Sequence, residues 1–73
     1  MVLGTVRSWY FNEGWGVLDS EETPGGCFVL FPEVKTEGYR SLRDGQLVEF
    51  EPVKQKQDEF NYIARNVRPV DTN

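Results

Sequence analysis

The chain has 73 residues, enough for one domain, with 38% apolar and 14% aromatic residues and a net charge of −4. There is no His, which removes the commonest general base and metal ligand, and a single Cys, Cys27, which excludes an intrachain disulfide, a zinc site and a Cys–His or Ser–His nucleophilic pair. No apolar run approaches the roughly 18 residues of a membrane-spanning helix, and Met1 is not followed by a signal-like segment, so a cytoplasmic location with no membrane contact is expected.

No window repeats apolar residues at helical spacing, whereas short alternating runs recur between Gly, Pro and acidic turns. Leu3 to Tyr10 is the first predicted strand. Phe11-Asn12-Glu13-Gly14 is a tight connection, because Asn and Gly suit turn geometry. Trp15 to Asp19 is the second strand, with Gly14 and Gly16 flanking Trp15 and signalling a bend or a close approach. Glu21 to Gly26 is a loop, and Cys27 to Phe31 is a short, dense third strand. Pro32 to Lys35 suits one helical or 3₁₀ turn, with Pro at its start. Thr36 to Gln46 is a long connection into the fourth strand, Leu47 to Val53, where Pro52 fits an edge. Lys54 to Glu59 is a polar loop, and Phe60 to Arg68 is the fifth strand. One domain over residues 1–70 is predicted, with a frayed end at 71–73. Five short strands in so small a chain leave hazardous edges unless the sheet closes, so the predicted fold is all-β, a closed five-stranded antiparallel barrel.

Twelve carboxylates are scattered among turns, with no catalytic constellation, so no enzymatic activity, cofactor or metal is expected. Cys27 lies in an apolar run and reads as a small buried hydrophobe. Period-2 alternation places Val6, Leu18, Cys27, Val29, Val48 and Phe50 inside the barrel. The same alternation sends Arg7, Trp9, Trp15, Val17, Phe28 and Leu30 to the outer face, as an apolar patch edged by a cation. Two readings stand. Either these rings are core and the faces are inverted, or they form an exposed platform on which unpaired bases stack.

Gly4-Thr5-Val6-Arg7, Glu13-Gly14-Trp15-Gly16-Val17-Leu18 and Cys27-Phe28-Val29-Leu30-Phe31 resemble the cold shock domain. So do Gly38-Tyr39-Arg40-Ser41-Leu42, Gly45-Gln46, Val48-Glu49-Phe50 and Ala64-Arg65-Asn66-Val67, in the family's order. The resemblance implies an OB-fold barrel that binds single-stranded RNA or DNA, acting as an RNA chaperone or a regulator of transcription or translation. Transferred residue by residue, it implies nucleic-acid contacts at Arg7, Trp9, Trp15, Phe28, Phe31 and Tyr39. Strict alternation points Phe31 inward, whereas the resemblance needs it turned outward at the strand end. Ser8, Val17 and Leu30 stand where the family pattern has stacking rings, and Glu13 stands where it has Lys. A contrasting reading keeps the barrel but makes the face a protein-binding patch centred on Val17 and Leu30. A monomer is expected in either case.

Overall fold

The computed structural model describes residues 1–35 and 42–70. Five strands, β1 (Val2–Tyr10), β2 (Trp15–Asp19), β3 (Cys27–Leu30), β4 (Leu47–Gln57) and β5 (Phe60–Pro69), close into a barrel in the order β1-β2-β3-β5-β4. The frayed end predicted at 71–73 and part of the predicted Thr36–Gln46 connection lie outside the described residues. Among the described residues, no helix is long and apolar enough to cross a membrane.

The barrel is not antiparallel throughout. β3 and β5 run parallel, joined at Phe28 and Ile63, and a second parallel bridge joins Val34 to Val67. The reason is parity. An odd number of strands closed into a ring cannot alternate direction at every seam, so one pair must run parallel. The polar loop predicted at Lys54 to Glu59 is also corrected. β4 continues to Gln57, pairing Lys54 with Tyr62 and Gln57 with Phe60, and only Asp58 and Glu59 turn. Asp58 takes the left-handed conformation, φ 54°, which a short polar side chain tolerates. Beyond Phe50, the last β4 residue paired with β1, the strand leaves the barrel interior and loses its apolar alternation. Pro52 lies in that extension, where a missing N–H leaves no bond to β1 unmade. Phe31 opens a single 3₁₀ turn, Phe31–Glu33, rather than closing β3.

The interior holds Val6, Leu18, Cys27, Val29, Val48 and Phe50, as the alternation predicts, joined by Val34, Leu42, Ala64 and Val67. Burial pushes the Cys27 thiol up to about 12, so it is a packing group and not a nucleophile. A second cluster forms on the opposite face of the sheet. Val17, Phe28 and Phe60 are buried there, and Trp15 and Ile63 pack against them. This corrects the predicted exposure of Val17 and Phe28, which are only 3% and 8% accessible. Phe60, at the start of β5, closes over them.

Candidate functional site

The site is built where β1 turns into β2. Tyr10 and Trp15 flank the turn and pair across it, so they share a face. Trp15 in turn lies opposite Leu30, and Val17 opposite Phe28. These pairings set a row of rings on the outer face. Tyr10 and Trp15 have centroids 4.4 Å apart, Trp15 and Phe28 5.3 Å, and Phe28 and Phe60 6.3 Å. Exposure falls along the row, from Tyr10 at 39% to the two buried Phe rings. Trp15, in the middle, is half-buried. Phe28 therefore backs Trp15 and does not itself offer an open face.

Trp9 departs from its predicted position. β1 carries a bulge between Val6 and Ser8: Val6 pairs with Leu18 and Ser8 with Val17, leaving Arg7 as the extra residue. An extra residue reverses the alternation beyond it. Ser8 and Tyr10 take the outer face, and Trp9 lies opposite Gly16 on the inner parity. Trp9 packs at the rim of the interior cluster. A Cβ on Gly16 would run into its ring, so the glycine predicted to permit a close approach does so for Trp9. Phe31, half-buried as the first residue of the 3₁₀ turn, meets Trp9 there, stacked at 4.6 Å with 5° between the ring planes. Phe11 adds an edge contact to Phe31 at 6.2 Å. The Phe31 N–H donates to the Gly14 carbonyl at 3.1 Å and ties this pair to the turn. The bulge thus divides the rings into two sets, Tyr10–Trp15–Phe28–Phe60 outside and Trp9–Phe31–Phe11 at the barrel rim.

Arg7, projecting from the bulge, is held by Asp19. Its Nη2 donates to Oδ1 at 2.6 Å, and its Nε reaches Oδ1 and Oδ2 at 3.0 and 3.1 Å. This hydrogen bonding raises the guanidinium pKa further. Both side chains are nearly half exposed, at 44% and 46%, so water screens the pair and an incoming anion has access to it. Glu13 lies exposed in the turn beside Trp15. The outer face is therefore aromatic, with its cation already partnered and an acid at its edge.

An open groove of about 240 Å³ continues the face past Phe28 and Leu30, floored by Ile63 and edged by Gln55, Gln57 and Arg65. At its edge Glu33 accepts a hydrogen bond from the Asn66 N–H at 3.3 Å, with the Arg65 Nε 4.0 Å away. Among the described residues, no cluster of three His, Cys, Asp or Glu could hold a metal ion. Of the six predicted contact residues, the structure brings Trp15 and Phe28 together, and separately Trp9 and Phe31. It sets Arg7 at the bulge, and Tyr39 lies outside the described residues. Sequence reasoning missed Tyr10, Phe11 and Phe60. The signal for Tyr10 was present, since residues flanking a tight hairpin turn pair across it.

The chain is 37% identical over 65 residues to a cold shock-like protein of Aquifex aeolicus, covering 89% of each chain. It is 41% identical over 54 residues to cold shock protein CspA of Staphylococcus saprophyticus, covering 74% of this chain and 80% of that one. CspA of Staphylococcus aureus matches over the same length at 39% identity. No protein-family model matches the chain.

Proposed function

The chain belongs to the cold shock protein family, and from that premise we propose that it binds single-stranded RNA or DNA by stacking unpaired bases on the aromatic face of β1, β2 and β3. The observation that carries the reading is Trp15, a half-buried ring backed by Phe28 and flanked by Gly14 and Gly16. Phe28 at 5.3 Å and Tyr10 at 4.4 Å fix the indole while leaving it half-exposed, and a fixed ring stacks a base at little entropic cost. Base–aromatic stacking contributes roughly 1–3 kcal/mol per base and tolerates any sequence. Phe28 supports this surface from below, and Trp9 with Phe31 extends it at the rim. Arg7 supplies a phosphate contact once Asp19 gives it up, and Tyr39 is the remaining contact of the proposed set. Stacking alone treats RNA and DNA alike, since discrimination needs contacts to the 2′-hydroxyl. Use as an RNA chaperone, or as a regulator of transcription or translation, follows from loose, sequence-tolerant binding of this kind.

The observed burial weighs against the protein-docking alternative. Of its two anchors, Leu30 is 51% exposed but Val17 is 3%. A partner would find one aliphatic side chain among rings.

Titration of the protein's tryptophan fluorescence with oligothymidine tests the proposal. Saturable quenching that weakens in Trp15→Ala is expected. Unquenched fluorescence at high strand concentration would refute it.

A further inference from the structure

We infer that the turn between β1 and β2 extends the stacking surface by two positions, Tyr10 at the end of the outer row and Phe11 at the end of the rim set, for unpaired bases adjoining those held at Trp15 and Phe31; this rests on the nucleic-acid reading above. Among the described residues, Tyr10 at 39% and Phe11 at 58% are the most exposed aromatic rings. Each is anchored on one side by another ring, Tyr10 by Trp15 at 4.4 Å and Phe11 by Phe31 at 6.2 Å. Each is thus restrained while part of its surface stays open.

The backbone beneath them is fixed. The Tyr10 carbonyl accepts hydrogen bonds from the Glu13 and Gly14 N–H groups, both at 3.0 Å. The Phe31 N–H, bonded to the Gly14 carbonyl, pins the turn to the 3₁₀ helix. Rings held this way lose little freedom when a flat ligand lands on them, which favours binding.

A base is the occupant these features fit. The outer row runs from buried Phe28 through half-buried Trp15 to exposed Tyr10, so a strand stacked at Trp15 meets Tyr10 next. Among the described residues, the two grooves on the molecule are lined by residues other than those of this turn. A protein side chain anchors best in a pocket, whereas a base needs only a ring face. Exposed Glu13 beside the rings disfavours phosphate, so the base and not the backbone is held here.

The test compares oligothymidine strands of two lengths, one filling a single stacking position and one spanning several. The Tyr10→Ala/Phe11→Ala variant should bind the longer strand about 5- to 150-fold more weakly per base lost, with a much smaller change for the short strand. Tyr10→Phe, which keeps the ring, should bind like wild type. Leu3→Ala, at a 59% exposed residue away from the turn, should have no effect. Phe11→Ala alone gives the same comparison should the double variant fail to fold. Wild-type affinity of the turn variants for both lengths, with Trp15→Ala still weakening both, would overturn this site and leave the broader reading intact. Absence of wild-type binding to either strand would overturn both.

Discussion

The two hydrophobic clusters of this barrel lie on opposite faces of the same strands and are closed in different ways. The interior is filled mainly by aliphatics around Phe50, and Leu18, Val29, Val48 and Phe50 are fully buried. The barrel wall seals it. The outer cluster has no wall above it, and it is covered only by its own side chains, with Trp15 and Ile63 as a half-wet lid. The interior's burial therefore goes into folding, whereas the lid side chains keep surface that a ligand can still bury.

Truncating Phe50 should give the largest effect. Phe50→Ala is expected to destabilise the fold by about 3–5 kcal/mol, enough to unfold a domain of this size. Urea unfolding followed by circular dichroism checks it. Gly16→Ala should also act through stability, at about 1–3 kcal/mol, because the new Cβ forces the Trp9 ring off its seat. A wild-type unfolding midpoint for this variant would contradict the rim packing described for Trp9.

Trp15→Ala should divide differently. It is expected to cost about 1–3 kcal/mol of binding to oligothymidine and less folding stability than Phe50→Ala. The reverse order would place Trp15 with the core. Asp19→Asn releases Arg7 from its carboxylate and should steepen the salt dependence of binding by roughly 0.7 in log–log slope, the contribution of one added single-strand phosphate contact. In an Arg7→Gln background the same change should leave the slope unaltered. Glu13→Lys should produce a similar increment by adding a cation beside Trp15. An unchanged slope would mean that position 13 does not face phosphate.

The interior makes one pH prediction. The folded-state pKa of Cys27, near 12, is raised above its ordinary value of 9.0. Between these limits the unfolded chain releases the proton and the folded chain retains it. Stability should therefore fall as pH rises through that window, and Cys27→Ala should remove this component. A thiol reagent at neutral pH should leave folded Cys27 unmodified.

The difference between the clusters also explains what was legible in the sequence. Compact aliphatics at alternating positions identified the interior, and all six predicted residues are buried there. Alternation failed at Arg7, because a bulge adds one residue without leaving a compositional mark, and every face beyond it in β1 reverses. Trp9 is misplaced for that reason. Phe28 and Val17 do lie on the predicted outer face, yet Phe60, 32 positions beyond Phe28, covers them. A contact that distant leaves no local pattern. The extension of β4 through Lys54 to Gln57 was hidden because no interior remains there for an apolar alternation to fill.

The most direct test of the aromatic face is a backbone-amide NMR titration with a short pyrimidine-rich single strand. Saturable shifts centred on Arg7, Trp9, Trp15 and Phe31 are expected, while the interior positions Val48 and Phe50 stay unmoved. Unmoved signals throughout at high strand concentration, or shifts centred on the Lys54–Gln57 extension instead, would contradict the aromatic-face reading.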